Sequence, residues 1–272
     1  MLPPAFRRCH TPPRPLLSPR QGTILNMAPD TPAALSTPPP PEAPSLRDKV
    51  RIRFRKDHDL RLLSHHDLMR TFERMLRRSE LPFRRTQGFH PHPRIIFALS
   101  LPLGVVGCDE VVELELDDIL PVDEIQERLR RQAPPGLHFH SVSRIDAKAG
   151  AQVRRLCYRI WVPDERVEDL RQRVATIMAG AECWVERKRP PVRRVDLRPW
   201  LSKLSVVEVD GKYALDMALW LLPSGTARPD EVVEAAGLTD LYDAGAVLER
   251  AWLELHDEIT PADESAVEKS VV

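Results

Sequence analysis

Strict alternation of apolar and charged side chains marks the first folded segment. The sequence KVRIRFRK, which begins at Lys49, places Val50, Ile52 and Phe54 on one side of an extended chain and arginines on the other. A period of two is typical of a strand with one buried face. The pattern therefore predicts that the folded part of the chain begins with this strand.

A helical period follows the strand. Ser64 stands before an apolar stripe and Asp67 follows three residues later, so these two polar side chains are predicted to cap a helix. Pro82 ends the pattern. The predicted buried face consists of Leu68, Phe72, Met75 and Leu76, and the predicted exposed ridge consists of Arg70, Arg74 and Arg77.

The remaining patterns predict the class of fold. Up to residue 145 the order is strand, helix, strand, strand, helix, strand, which is typical of a ferredoxin-like sandwich. A similar order starts at Gln152, and all five tryptophans fall in this second half, which predicts a core of its own. The predicted fold is α+β, with two ferredoxin-like βαββαβ-type sandwich domains in tandem.

Composition sets the predicted boundaries. Thirteen of the 27 prolines precede Ser45, and such a segment favours a disordered tail over a packed core. The alternative is that translation starts at Met27 and the upstream residues are not made. We predict a disordered proline-rich tail at 1–45, a first domain at 46–148, a second domain at 149–256 and an acidic disordered tail at 257–272.

Charge is distributed unevenly, although the chain carries 40 basic and 40 acidic residues. Residues 46–100 hold 14 basic and 6 acidic side chains, whereas residues 229–272 hold 2 basic and 12 acidic side chains. The acidic end is either a solubilising tail or a segment that folds back on the basic region and competes with an anionic ligand.

The cysteines and the hydropathy pattern exclude some classes of protein. Cys9, Cys108, Cys157 and Cys183 form no CxxC pair, which excludes a zinc ribbon and a radical-SAM iron-sulfur site within this chain. Reduced thiols in a cytoplasmic protein are the expectation. The longest apolar run is too short to cross a membrane.

Two interpretations fit the arginines of the first strand. Arg51, Arg53 and Arg55 suit a nucleic acid, but the strand EVVELELD presents Glu113 and Glu115 with the same period. If the two strands are antiparallel neighbours, opposite charges pair across them, and we favour this ladder. A charge run on a helix is usually just solvated, but six arginines within sixteen residues also make a surface suited to phosphates: Arg70, Arg74, Arg77, Arg78, Arg84 and Arg85.

Four of the nine histidines lie in the same region. A metal site formed by His65, Asp67 and either His90 or His92 has suitable ligand types but lacks an HxxxH or HExxH spacing. Acid-base chemistry, a structural role and contact with a ligand are the other interpretations. The motif GFHPHPR is typical of a turn, so we expect its histidines to converge with those at the helix start; in the alternative topology the two pairs lie about 20 Å apart.

The segment LRLLSHHDLMRTFERMLRRSELPFRRTQGFHPHPRIIFALSLPLG resembles the signature of the radical SAM-linked protein family. The likeness continues more thinly through VDLRPWL and RPDEVVEAAGL and covers about residues 49–254. That family is a bacterial domain of unknown function found beside, or fused to, a radical-SAM protein, so the resemblance implies a partner and no activity. His66 and His90 depart from the family's pattern, which leaves His65 and His92 as functional candidates.

We therefore predict an accessory protein that binds an anionic substrate such as structured RNA and presents it to a radical-SAM enzyme encoded nearby. It is expected to have no metal, no cofactor and no membrane association. The alternatives are a metal-independent RNA-processing nuclease that uses His65 or His92, and a protein-interaction module. The predicted binding residues are His65, Asp67, Arg70, Arg74, Arg77, Arg84, Arg85, Gly88, His92 and Arg94, with Asp196 and Arg198 as a second candidate site.

Overall fold

The predicted first strand and first helix are both confirmed. The computed structural model describes residues 48–188 and 192–258. The predicted tail at 1–45 and the predicted acidic tail from residue 259 onward lie outside the described residues. Strand β1 (Asp48–Lys56) places Val50, Ile52 and Phe54 in the core, and helix α1 (His65–Arg78) buries the four predicted apolar side chains.

In the described residues, the strands and helices up to α4 follow in the order that the patterns predict, whereas the last strand and the short helix before it were not predicted. In the described residues, no helix is long and apolar enough to cross a membrane. The other strands are β2 (Ile95–Phe97), β3 (Val106–Leu116), β4 (Leu137–Ile145), β5 (Val153–Val162), β6 (Trp184–Arg187), β7 (Arg193–Asp196), β8 (Leu201–Val209), β9 (Lys212–Trp220) and β10 (Glu249–Leu255). The other α-helices are α2 (Val122–Gln132), α3 (Val167–Ala179), α4 (Pro229–Ala235) and α5 (Asp240–Asp243).

Eight strands from both halves of the chain form one mixed sheet. Its order is β4-β1-β3-β10-β5-β9-β8, with β2 also paired to β3. Strand β10 runs antiparallel to β5 but parallel to β3, and β6 pairs with β7 in a separate two-stranded sheet. The predicted α+β class is confirmed. Two ferredoxin-like domains are not confirmed, because strands from 46–148 and from 149–256 share this sheet.

Most of the two hydrophobic cores lies on one face of the large sheet, although Val111 of the second core lies on the opposite face of β3 from Val112 and Leu114 of the first. Phe54 of the first core is directly opposite Glu110 on β3, and Tyr158 of the second core is directly opposite Arg250 on β10. Directly opposed residues share a face, and Arg250 contacts Glu110 across the β3-β10 junction. Helices α1 and α2 pack into the first core and α3 and α4 into the second. The helices therefore cover mainly one face and leave most of the other to polar and aromatic side chains.

The second half does have a core, but its tryptophans do not form it. Trp200 packs against the edge of that core, which consists mainly of aliphatic side chains. Trp161 alternates with core residues of β5, so its ring lies on the opposite face of the sheet. Trp220 and Trp252 are directly opposite the polar side of β5 and share this face.

A buried ion pair fastens β10 to β3. Arg250 is 1% exposed; its Nε donates to Glu110 Oε1 at 2.7 Å, and its Nη2 donates to the other carboxylate oxygen. The guanidinium also donates to the carbonyls of Ser100 and Leu99, at 3.1 and 3.4 Å. Gly107 leaves room for this arrangement, because a Cβ there would lie 2.5 Å from Glu110 Cγ. The pair holds a parallel junction that has only two aligned residue pairs.

The charged side of β1 forms a salt-bridge ladder as its sequence favours, but of the two predicted partners only Glu113 takes part, and Glu115 does not. Arg51 is directly opposite Glu113, and its Nη2 lies 2.9 Å from Glu113 Oε1. Lys49 Nζ lies 2.7 Å from the other oxygen of Glu113, and Arg53 Nη1 lies 2.5 Å from Asp109 Oδ2. These arginines are therefore neutralised within the sheet and do not form a free basic face.

Two residues assigned to the acidic tail fold back onto this ladder. Asp257 and Glu258 lie in a 3₁₀ turn, His256–Glu258, that follows β10. Asp257 Oδ2 accepts from Arg51 Nη2 at 2.7 Å, and Glu258 pairs with both Arg51 and Arg53. Where the chain is described, the fold-back alternative for the acidic end thus holds.

The Arg250–Glu110 pair should control the stability of the whole sheet. Arg250→Met leaves a buried carboxylate without its partner, so the free energy of unfolding in urea should fall by about 3–5 kcal/mol. The double variant Arg250→Met/Glu110→Leu removes both charges and should be more stable than Arg250→Met alone. Arg131→Ala, at an exposed pair with Glu127 on α2, is the control and should change little. Equal unfolding midpoints for Arg250→Met and wild type would contradict this role.

Candidate functional site

The start of α1 is capped as its sequence predicts. The backbone N–H of Asp67 donates to Ser64 Oγ at 3.2 Å, and the Ser64 hydroxyl donates to Asp67 Oδ2 at 2.7 Å. One orphan N–H of the first turn is thereby satisfied. Asp67 also lies 3.5 Å from Arg70 Nη1. Both carboxylate oxygens of Asp67 therefore contact groups near the start of α1: the Ser64 hydroxyl and the Arg70 guanidinium.

His65 is a partly buried, neutral imidazole. Its ring packs edge-on against Phe97 with 5.3 Å between centroids, and its Nδ1 is buried without a hydrogen-bond partner among the described residues. Burial lowers the pKa of His65, and the nearby charges of His66 and Lys56 lower it further. Lys56 is itself fully buried, and its Nζ donates to the carbonyl of Leu63 at 3.4 Å. A neutral His65 can accept a proton but is poorly placed to attract an anion.

The segment from residue 84 to residue 94 is a short hairpin, called here the 84–94 hairpin. The N–H of Arg94 donates to the carbonyl of Arg84, and the N–H of Thr86 donates to the carbonyl of His92, both at 2.8 Å. Gly88, at φ +131°, occupies a backbone conformation that favours glycine at the tip. The next residue, Phe89, is fully exposed. The hairpin thus presents an aromatic ring to solvent.

The 84–94 hairpin contacts the middle of α1, so the predicted convergence of its histidines with those at the helix start is wrong. His92 Nδ1 lies 3.4 Å from Glu73 Oε1. Glu73 follows His65 by eight residues, which is about 12 Å along the helix axis. The structure therefore does not bring His92 to the capped end of α1, where His65 lies. Between helix and hairpin lies a groove of ≈ 550 Å³, whose lining includes Met69, Pro93, Ile95 and Ile96.

The arginine ridge of α1 consists of Arg70, Arg74 and Arg77, and all three side chains are exposed. Arg74 Nη2 lies 3.4 Å from Thr71 Oγ1, a neutral partner. Within residues 48–188 and 192–258, no carboxylate lies within ion-pair distance of Arg74 or Arg77. The ridge points away from the core and lies beside the face of the helix that lines the groove.

Other predicted arginines are tied to protein groups. Arg84 and Arg94 both approach Glu115, with N···O distances of 3.9 and 3.2 Å. Arg85 is exposed, and its guanidinium lies over the ring of Phe83 at 5.1 Å. Glu115 therefore offsets positive charge at the base of the hairpin, and of the predicted arginines Arg74, Arg77 and Arg85 are exposed without a carboxylate partner in the described part of the chain.

Asp196 and Arg198 lie far along the chain from these groups. Asp196 is the last residue of β7, and Arg198 lies in the connection between β7 and β8. Asp196 Oδ1 accepts from the N–H of Cys183 at 2.7 Å and from the N–H of Arg198 at 3.0 Å. The Arg198 side chain donates to the carbonyls of Gly180 at 3.0 Å and Met178 at 3.3 Å. These contacts satisfy carbonyls at the end of α3, which is a structural use of both side chains.

The predicted binding residues did not include Glu73 or Phe89, and Glu115 was predicted as a partner of the β1 arginines and not of Arg84 and Arg94. The two glutamates matter only because the fold brings them to His92 and to the arginines of the hairpin. The exposure of Phe89 could have been predicted from its neighbours, because a turn that contains glycine and proline lies on the surface and its apolar ring does not pack into a core. Within the described residues, no group of three or more His, Cys, Asp or Glu side chains is placed to hold a metal ion.

Comparison with known proteins identifies the family of this chain. Residues 49–229 match the family described as "Uncharacterized protein conserved in bacteria (DUF2344)". No curated protein matches the chain. A solved structure described as "Crystal Structure of an Unknown Protein from Galdieria sulphuraria" is 15% identical, covers 77% of this chain and 99% of its own, and aligns with a TM-score of 0.24. At that TM-score the likeness carries no argument about fold or function.

The depressed pKa of His65 predicts a change of stability with pH. An unfolded histidine titrates near pH 6.5, so the folded state, with its lower pKa, binds fewer protons below that value. The contribution of His65 is full above this pH and is lost as the pH falls through it. In urea unfolding from about pH 5 to about pH 8, His65→Asn should lose less stability on acidification than wild type. His90→Asn, at an exposed position of the hairpin, is the control and should keep the wild-type slope; identical slopes for all three proteins would refute the assignment.

Proposed function

We propose that this chain, which belongs to the uncharacterised conserved bacterial family DUF2344, binds structured RNA on the surface formed by the arginine ridge and the 84–94 hairpin. The observation that carries the proposal is the exposed guanidinium row on α1. Arg74 and Arg77 have no carboxylate partner in the described part of the chain, whereas the strand arginines Arg51 and Arg53 are neutralised. A helix ridge that retains its charge attracts phosphates, and each guanidinium can donate to two phosphate oxygens.

The dimensions of the ridge suit a nucleic-acid backbone. Arg70 and Arg77 are seven residues apart, a rise of about 10 Å. In double-stranded DNA the phosphates of one strand follow one another every ~3.4 Å along the axis, so a ridge of this length is long enough to contact more than one phosphate of a nucleic-acid backbone. Arg85, on the hairpin, is also exposed and is a further guanidinium available to a phosphate.

The hairpin supports RNA with unpaired bases as the ligand. Phe89 is fully exposed at the tip, and sequence-specific RNA recognition often stacks an unpaired base on such a ring. His92 stands beside the groove, held toward Glu73, and can donate or accept a hydrogen bond there. A folded RNA with a loop would place phosphates on the arginine ridge and a base on Phe89.

The proposal includes the partner implied by the resemblance to the radical SAM-linked family. In this scheme the chain holds the RNA, and a radical-SAM enzyme encoded nearby performs the reaction. A second candidate function is RNA cleavage. It is favoured by the neutral, partly buried imidazole of His65, which has the protonation state of a general base.

RNA affinity should depend on the arginine ridge and on salt. We expect wild type to bind a stem-loop RNA in fluorescence anisotropy, with affinity falling steeply as salt rises. Arg70→Gln/Arg74→Gln/Arg77→Gln should reduce the slope of log affinity against log salt by about 2–3, because about one counterion per lost phosphate contact is no longer released. Arg128→Gln/Arg131→Gln on α2, where both arginines have glutamate partners, is the matched control. A wild type that does not bind RNA at low salt rules out this function, and cleavage in EDTA that requires His65 would favour the nuclease.

The partner can be tested separately. A tagged chain expressed in its own bacterium should retain the neighbouring radical-SAM protein after nuclease treatment if the two proteins contact each other directly. If nuclease releases that protein, RNA is the bridge, and the arginine-ridge variant should lose it as well. Recovery of RNA without any radical-SAM protein would support RNA binding and contradict the proposed partner.

A further inference from the structure

A slot crosses the open face of the sheet, on the side away from the helices. Its members come from four adjacent strands and are in register: Lys203 on β8 is opposite Ala218 on β9, Ala218 is opposite Cys157 on β5, and Cys157 is opposite Trp252 on β10. Two small side chains thus form the floor, with a cation at one end and an indole at the other. The backbones of the two ends are about 14 Å apart, since neighbouring strands lie ~4.8 Å apart.

Ion pairs form the long walls of the slot. On one side Arg155 donates to Glu254 and lies over the ring of Trp220 at 5.2 Å. On the other side Arg159 donates to both oxygens of Asp216, at 2.7 and 2.8 Å. These pairs fix the walls and cancel their own charge. The enclosed space measures ≈ 310 Å³, which is at the lower end of the range for small-molecule sites.

Polar groups along the slot are left without partners. Arg155 Nε and Ser205 Oγ are buried and have no hydrogen-bond partner within the described ranges. Ser205 on β8 is directly opposite Asp216 on β9, which belongs to the wall of the slot. Lys203 is exposed and, among residues 48–188 and 192–258, makes no ion pair. A buried donor without a partner costs about 1–3 kcal/mol in general, so such atoms commonly mark a place where a ligand or water binds.

We propose that this slot binds a planar aromatic ring that carries a phosphate, the chemistry of a nucleotide. The ring lies over Cys157 and Ala218, whose small side chains leave the space, and against the indole of Trp252. The phosphate lies at the Lys203 end, within reach of Arg155. No residue of the slot belongs to the arginine ridge or the 84–94 hairpin, so this site does not depend on the RNA proposal. The nucleotide can be free, or it can be an unpaired nucleotide of an RNA.

Two readouts follow from the residues themselves. AMP should quench the tryptophan fluorescence of the full chain to a saturating level, because its base approaches Trp252. AMP should also protect Cys157 from alkylation by N-ethylmaleimide, measured by mass spectrometry, with a rate about tenfold lower at ten times the apparent Kd. Cys108 and Cys183 lie outside the slot and are internal references whose labelling should not change. Burial raises the pKa of the Cys157 thiol to about 11, so labelling is slow enough to time.

Variants separate the parts of the site. Lys203→Gln should weaken AMP binding by roughly tenfold or more, because a charged hydrogen bond is lost, and Ala218→Leu should abolish it by filling the floor. Lys212→Gln, at the turn between β8 and β9, is the matched control for charge. Adenosine should bind more weakly than AMP, and equal binding would remove the phosphate from the proposal. A short oligoadenylate that binds far more tightly than AMP would identify RNA as the source, whereas equal affinity would identify the free nucleotide.

The proposal fails if millimolar AMP and UMP produce neither saturating quenching nor protection of Cys157. It also fails if Lys203→Gln, which leaves the sheet packing intact, binds AMP as tightly as wild type. Loss of RNA binding by the arginine-ridge variant with retained AMP binding would show that the two sites are separate.

Discussion

The buried pair of Arg250 and Glu110 is the interaction on which the rest of the architecture depends. It places a full charge of each sign inside the sheet, where an isolated charge is costly and a well hydrogen-bonded pair is tolerated. Glu110 reaches its partner because Gly107 lacks a side chain, and the buried Lys56 adds a second cation near the same carboxylate. This pair secures the parallel junction of β3 and β10, so that two halves of the chain become one sheet.

The continuity of the sheet divides the molecule into two chemically different sides. The packing by α1–α4 onto the cores occurs mainly on one face, and the outer surface of α1 carries a row of guanidiniums. The other face carries charges that satisfy one another, including the fold-back of Asp257 onto Arg51, and indole rings that the cores do not use. The two proposed binding surfaces therefore differ in kind: a convex basic ridge suits a long polyanion, whereas a walled slot suits a single small group.

Elements with local patterns could be predicted from the sequence, and elements defined by long-range partners could not. The period of two in β1, the cap at Ser64 and the apolar stripe of α1 are local, and each is found where it was predicted. Strand β10 escaped prediction because its sequence, ERAWLEL, has Arg250 and Glu254 at buried positions and Trp252 at an exposed one. Charged residues are rarely buried without a partner, and the partner of Arg250 lies 140 positions away. The candidate site was limited in the same way, because its ion pairs join residues far apart in the chain. The sequence shows how many arginines are present, but only the fold shows that Glu115 pairs with Arg94 whereas Arg77 stays exposed.

The position of β10 in the chain has a consequence for synthesis. Strand β10 fills the space between β3 and β5, yet among the described strands it is the last to leave the ribosome. Until residues 249–255 emerge, β5 has an open edge, β3 is open beside Val106 and Gly107 where β2 does not cover it, and Glu110 lacks its guanidinium partner. Open edges are templates for pairing with other chains. The nascent protein thus passes through a stage with two unfilled strand edges, and a charged glutamate at one of them disfavours the wrong partners until the right strand arrives.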